Sequence, residues 1–124
     1  MPASREEIRM NIKNVFVSVH ASDFSGLSDW WSNLLERKWD RQPMPSCHEW
    51  DLTESVFFQV LDDAQHSGRT TVTLKVTGLD DHVERLRGFG INIPDPVDVV
   101  GFDSLRYCQF NDPEGNEVGL LEGS

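Results

Sequence analysis

The sequence is poor in cysteine. Its 124 residues include two cysteines, Cys47 and Cys108, which lie far apart and form no C-x-x-C pair. This excludes a disulfide framework and a thiolate zinc site. Reduced thiols are the ordinary state in the cytoplasm, so a cytoplasmic protein is expected.

Basic residues and long apolar runs are also scarce. Eleven basic residues against twenty-one acidic ones give a formal net charge of -10. This negative charge repels the phosphate backbones of nucleic acids, so no nucleic-acid partner is expected. The charge either attracts a cationic ligand or only keeps the protein soluble.

No segment approaches the roughly 18 apolar residues that span a bilayer, and residues 1–14 are polar. Neither a membrane partner nor secretion is therefore expected.

The first half of the chain predicts a strand, a helix and three more strands. Valines alternate with other residues over 15–20, which is the period of a strand with one buried face. Short extended segments interrupted by prolines follow from Trp39 to Asp63, with strands expected at Glu49–Leu52 and Val56–Leu61. Between them, apolar residues recur at helical spacing: Leu27, Trp30, Trp31, Leu34 and Leu35.

The same order of elements recurs after a polar linker at 62–69. Thr70–Val76 alternates like a strand, and helical spacing from Leu79 to Phe89 ends at Gly90, a typical helix-terminating residue. Three further strands are expected: Ile91–Val100, Leu105–Phe110 and Glu117–Leu121. The pattern predicts an α+β fold of two tandem βαβββ modules, about 12–63 and about 69–122, in a single domain over 1–124.

A motif near the C-terminus carries a resemblance to a known family. The run Phe110-Asn111-Asp112-Pro113-Glu114-Gly115-Asn116 resembles the F-x-D-P-[DE]-G-N signature of the vicinal oxygen chelate superfamily. That superfamily includes glyoxalases, bleomycin-resistance proteins and extradiol dioxygenases. Val15–Leu35 and Val76–Ile91 resemble its two strand-to-helix junctions. The resemblance implies a mixed sheet curled around a cleft, in agreement with the order of elements.

The resemblance also indicates where a metal site would lie. Metal-dependent members place four ligands on cleft-facing strand positions, which correspond here to Phe16, Gln59, Thr71 and Gly119. Among these, only Gln59 has an oxygen that commonly binds a divalent ion. Catalytic iron, manganese, nickel and zinc need several imidazole or carboxylate ligands. No metal ligand and no cofactor are therefore expected, and no catalytic residue is assigned.

The same cleft positions suit an organic ligand. Aromatic side chains beside a few polar groups favour a planar molecule, and metal-free bleomycin-resistance proteins are acidic homodimers that sequester a cationic drug. The leading hypothesis is thus a metal-independent small-molecule-binding protein of this type, expected to be a homodimer. Trp50 and Phe57 are equally compatible with a place in the core. The candidate ligand-binding residues are Phe16, Ser18, Trp50, Phe57, Gln59, Thr71, Thr73, Tyr107 and Gly119.

Two other functions stay open. One is a glyoxalase- or dioxygenase-like enzyme, a lyase, isomerase or oxidoreductase, whose metal site is rearranged or lost and which uses Gln59, His20 or His48. The other is a regulatory or structural partner with a vestigial cleft. His66 and His82 fall in the linker and on the second helix, so the histidines are not expected to cluster. Cys108 has no predicted histidine neighbour and is not expected to be a nucleophile.

Overall fold

The computed structural model describes residues 12–123, which form two helices, eight strands and one short 3-10 helix. The first module consists of β1 Val15–Ala21, α1 Phe24–Leu35, β2 Arg41–Met44, β3 Cys47–Asp51 and β4 Val56–Asp62. The 3-10 helix Ala64–His66 lies in the connection. The second module consists of β5 Thr71–Lys75, α2 Leu79–Arg87, β6 Val97–Asp98, β7 Arg106–Asn111 and β8 Glu117–Glu122.

Each module forms its own four-stranded mixed sheet. The strand order is β1-β4-β3-β2 in the first sheet and β5-β8-β7-β6 in the second. In each sheet the first strand of the module pairs in parallel with its last strand, and the other pairs are antiparallel. The predicted α+β fold of two tandem βαβββ modules is confirmed.

The strand predicted at Ile91–Val100 is wrong over most of its length. Only Val97–Asp98 is a strand, paired with β7. Pro94 and Pro96 lack the backbone N–H that a sheet ladder needs, so the segment before Val97 runs without sheet pairing. Phe89 is also outside its expected place, because α2 ends at Arg87 and the Phe89 side chain is exposed.

The helix α1 packs against the first sheet and also reaches the second module. The Asp23 side chain caps its first turn by accepting a hydrogen bond from the Gly26 N–H. The Trp31 ring lies 4.4 Å from the Phe58 ring of β4, and the neighbouring Trp30 ring lies 6.3 Å from the Phe110 ring of β7. One continuous cluster of buried apolar side chains therefore includes residues of both modules.

The signature between β7 and β8 joins the two modules. The buried Asp112 carboxylate accepts hydrogen bonds from the Trp31 indole N–H at 3.1 Å and from the Asn116 side-chain amide at 2.8 Å. The Glu114 carboxylate accepts from the backbone N–H groups of Ser22 and Asp23, at 2.8 and 2.7 Å. Burial alone would raise the pKa of Glu114, but hydrogen bonds from the Ser22 hydroxyl, from these two N–H groups and from the Ser67 side chain outweigh it and lower that pKa. In this chain the signature anchors the last hairpin to the beginning of α1.

The buried His48 is expected to make the stability of the fold depend on pH. Its ring lies between the rings of Trp39 and Phe24, with centroids 3.6 and 4.3 Å away, and its Nδ1 is 2.7 Å from the Ser28 hydroxyl oxygen. Burial lowers the pKa of His48, and the nearby Asp29 carboxylate opposes this effect only in part. The unfolded chain therefore binds a proton more readily than the folded protein.

We expect the free energy of unfolding to fall as the pH drops below about 6.5, the ordinary histidine pKa. The decrease should continue until His48 is also protonated in the folded protein. Urea unfolding between pH 7.5 and pH 5 measures this slope. The His48→Phe variant keeps an aromatic ring at this position and should lose that part of the slope. An unchanged slope would assign the pH dependence to the other histidines.

Candidate functional site

The first sheet presents one surface that α1 does not cover. Val19, Phe58 and Trp50 face α1 and are fully buried, so the alternate residues of their strands face the other way. We call this surface the first open face. It comprises Phe16, Ser18, His20, Asp51, Phe57, Gln59 and Leu61, together with Cys47 and Glu49, which point the same way but are buried.

A row of hydrogen-bonded polar side chains crosses the first open face. The Ser18 hydroxyl donates to Gln59 Oε1, and Gln59 Nε2 donates to Glu49 Oε1, both at 2.8 Å. Arg41 of β2 donates to the Glu49 carboxylate and to both oxygens of Asp51. Because of Asp51 and Glu49, the pKa of Arg41 is raised. The row is therefore held in one arrangement, and its two carboxylates are already paired with a cation.

Two phenylalanines lie beside this polar row. The Phe16 and Phe57 rings are 5.0 Å apart and inclined at 52°, and 54% of the Phe16 surface is exposed. The Arg41 guanidinium carbon lies 5.5 Å from the centre of the Phe57 ring. An aromatic pair with one exposed ring, next to fixed hydrogen-bonding groups, can stack a planar ligand and orient its polar atoms.

The second sheet has a corresponding surface. The second open face comprises Thr71, Thr73, Lys75, Tyr107, Gln109, Glu117, Gly119 and Leu121. The Tyr107 ring covers Gly119, where a Cβ atom would lie only 2.8 Å from both Cε2 and Oη of Tyr107. The Tyr107 hydroxyl donates to Gln109 Oε1 at 3.0 Å. This surface offers hydroxyl groups around a tyrosine ring.

The four positions that carry metal ligands in metal-dependent relatives do not fit a metal ion here. Phe16 and Gly119 have no ligating atom, and Tyr107 occupies the space that a side chain at position 119 would need. Both polar atoms of Gln59 already bind Ser18 and Glu49. The Thr71 hydroxyl donates to Glu117 Oε2. Neutral and already engaged groups do not hold a transition metal against water.

Eight of the nine candidate residues lie on the two open faces, and Trp50 does not. Trp50 is fully buried on the helix side of β3, where it packs 5.5 Å from the Phe58 ring and its indole N–H donates to the Arg37 carbonyl. The strand alternation that turns Glu49 outward turns Trp50 inward. Trp50 is thus a core residue. The first open face holds Phe16, Ser18, Phe57 and Gln59, and the second holds Thr71, Thr73, Tyr107 and Gly119.

The sequence did not predict two features of the structure. A cavity of about 870 Å³ lies between α1, α2 and the second sheet; Leu35, Leu74 and Val76 line part of it, and none of the nine candidate residues does. The second feature is a cluster of His20 and His66 around Asp63, so the expectation that the histidines do not cluster is wrong for this pair. Its only signal in the sequence is the spacing of Asp63 and His66, three residues apart in a polar segment.

Comparison with known proteins establishes the family. A family model described as a glyoxalase-like domain matches residues 15–121. The chain belongs to this family of glyoxalase-like domains. The match confirms the resemblance to the vicinal oxygen chelate superfamily, and it includes both open faces. No curated protein matches the chain.

Solved structures share the fold of this glyoxalase-like protein. A glyoxalase/bleomycin resistance protein from Catenulispora acidiphila is 23% identical, with a TM-score of 0.78 over 90% of this chain and 98% of that one. The antibiotic binding protein TnmS3 from a Streptomyces species is 21% identical, with a TM-score of 0.77 over 94% and 100%. A lactoylglutathione lyase from Agrobacterium tumefaciens is 13% identical, with a TM-score of 0.71 over 88% and 92%. At these identities the likeness concerns the fold alone.

Neither helix in residues 12–123 has the length and the apolar character needed to cross a bilayer.

Proposed function

We propose that this glyoxalase-like protein binds a planar organic ligand on the first open face, with no metal ion at the superfamily's four ligand positions. The observation that carries the proposal is the exposed Phe16 ring packed on Phe57 beside the hydrogen-bonded row from Ser18 to Glu49. A flat ligand stacks on the aromatic pair. Its polar atoms reach the acceptor oxygen of the Ser18 hydroxyl or the second N–H of the Gln59 amide, which the hydrogen bonds of the row leave available.

A positive charge on the ligand would act at long range. Glu49 and Asp51 are already paired with Arg41, so neither is a free counter-ion for a bound cation. The net charge of -10 still raises the concentration of cations near the surface, and salt screens this effect over about 8 Å at physiological ionic strength. Stacking therefore supplies most of the affinity, and charge mainly accelerates association.

We propose that the second open face and a second copy of the chain also take part in ligand binding. Thr71, Thr73 and Tyr107 offer hydroxyl groups that would contact the part of the ligand not stacked on Phe16. We also propose that the protein is a homodimer, because two copies would bring their open faces together around one ligand. We further propose a cytoplasmic location, because both cysteines are free and buried, as is usual for a protein in a reducing compartment.

The names of the structural neighbours support both a binding protein and an enzyme. TnmS3 is described as antibiotic binding, whereas other neighbours are a lyase and an oxidase. We favour binding because the four ligand positions do not fit a metal ion. A glyoxalase-like enzyme with a relocated metal site is the second candidate, and the cluster of His20, Asp63 and His66 is the observation that favours it.

Thermal unfolding in the continuous presence of EDTA tests the proposal. The probes are proflavine, a planar cation; bleomycin, a larger cationic drug; and S-lactoylglutathione, which is neither planar nor cationic. A ligand that binds only the folded protein raises the unfolding midpoint by mass action. We expect proflavine or bleomycin to raise the midpoint in a dose-dependent manner. No shift with either organic probe in EDTA, together with turnover of the methylglyoxal–glutathione hemithioacetal in a separate assay with added metal ion, would contradict the proposal and favour the enzyme.

A further inference from the structure

Two histidines and an aspartate from separate segments meet at one end of the first sheet. His20 lies near the end of β1, Asp63 directly follows β4, and His66 ends the 3-10 helix. The parallel pairing of β1 with β4 places Ala21 opposite Asp62, and the Asp63 N–H donates to the Ala21 carbonyl at 2.9 Å. The 3-10 helix then turns the chain back over the end of β1.

The three side chains converge on a single point. His20 Nδ1 lies 3.0 Å and His66 Nδ1 2.7 Å from the same oxygen, Asp63 Oδ2. The three ligand atoms all lie within 4.8 Å of one another. The side chains remain accessible, with exposures of 29% for His20, 32% for Asp63 and 56% for His66. Solvent, and hence an ion, can reach the cluster without opening the core.

These separations match the spacing of ligands around a metal ion. Histidine nitrogen and carboxylate oxygen bind first-row metals at about 2.0–2.2 Å, so two adjacent ligands lie about 3.4 Å apart at the tetrahedral angle of zinc sites and about 2.9 Å apart at the right angle of octahedral or square sites. The two measured nitrogen-to-oxygen distances, 3.0 and 2.7 Å, lie on either side of the right-angle value. An ion therefore needs only small side-chain rotations to replace the protons shared between the imidazoles and the carboxylate.

We propose that His20, Asp63 and His66 bind one divalent transition-metal ion. Two imidazoles and one carboxylate favour copper, nickel, zinc and cobalt over magnesium and calcium, which prefer oxygen ligands. The remaining coordination positions stay open to water or to a small anion. This site is distinct from the four family positions, since His20 lies about 13 Å along β1 from Phe16. Proflavine binding in EDTA does not depend on it.

The bound ion would also fix the connection between the modules. It would crosslink β1 to the segment that leads from β4 toward β5. An ion that binds only the folded protein raises the unfolding midpoint. We therefore expect zinc or nickel to stabilise the wild-type protein, and magnesium at the same concentration to leave its midpoint unchanged.

Isothermal titration of untagged, EDTA-treated and then dialysed protein with zinc or nickel chloride tests the site. We expect one ion per chain with a dissociation constant in the micromolar range. His66→Gln and Asp63→Asn should each weaken binding at least tenfold. His82→Gln, the matched control on α2, should leave it unchanged. His66 is exposed, so its replacement leaves the core intact.

Cobalt supplies an independent readout of the same site. Co²⁺ should give a visible absorption band that the wild type and His82→Gln share and His66→Gln lacks. The absence of saturable zinc or nickel binding would overturn the proposal, and so would equal affinity in the wild type and His66→Gln. Either failure concerns this site alone, because the organic probes are tested with EDTA present.

Discussion

Replacing Asp112 with alanine is expected to lower the free energy of unfolding by about 3–5 kcal/mol. The buried carboxylate accepts four hydrogen bonds: from the Trp31 indole, the Glu114 N–H, and the N–H and side-chain amide of Asn116. Alanine leaves these donors without a partner in a place where Trp31 and Asn116 are fully buried. It also breaks the connection between the last hairpin and α1. Urea unfolding followed by tryptophan fluorescence measures the change.

Two companion variants make this result interpretable. Asp112→Asn keeps one acceptor oxygen and places an amide N–H near other donors, so we expect an intermediate loss of stability. Asp103→Ala removes an exposed aspartate from the loop before β7 and should change the free energy of unfolding by less than about 0.5 kcal/mol. A loss below about 1 kcal/mol in Asp112→Ala would mean that the signature does not hold the modules together.

Removing both rings of the aromatic pair is expected to weaken proflavine binding at least tenfold. In Phe16→Ala/Phe57→Ala the ligand loses the surface on which it stacks, and a tenfold change corresponds to about 1.4 kcal/mol. The hydrogen-bonded row from Ser18 to Glu49 remains. Fluorescence titration in EDTA gives the dissociation constants.

Phe102→Ala is the matched control for this variant. Phe102 is as exposed as Phe16, 58% against 54%, and lies in the loop before β7 rather than on an open face. Its removal should leave the dissociation constant unchanged. Phe16→Leu keeps apolar surface without a flat ring, so an intermediate affinity would identify stacking as the source of binding. Equal affinity for the wild type and the double variant would place the ligand elsewhere.

Much of the fold could be predicted because its signals are local. The valine alternation in β1 and the helical spacing around Trp31 correspond directly to observed elements. The turn signature identified the last hairpin and, through its resemblance, the family. The strand predicted over 91–100 is wrong over most of its length, because alternating apolar residues indicate a strand even where prolines remove the hydrogen-bond donors.

The site was harder to predict because it depends on pairing between distant strands. Glu49 joins Ser18 and Gln59 only through the register of β1, β4 and β3. The side to which Trp50 points depended on the exact start of β3, which the prolines before it obscured. The cluster at Asp63 needs the fold of the connection after β4, because His20 lies 43 residues before Asp63 and the sequence shows only the spacing of Asp63 and His66.

The position of the bound ligand distinguishes the first open face from the cavity beside α2. Proflavine would be titrated into ¹⁵N-labelled protein in the presence of EDTA while backbone amide shifts are followed. Binding on the first open face should give saturable shifts centred on Phe16, Ser18, Phe57 and Gln59. Shifts confined to Leu35, Leu74 and Val76, which line the cavity beside α2, would contradict this proposal. Binding that appears only after a metal ion is added would contradict it as well.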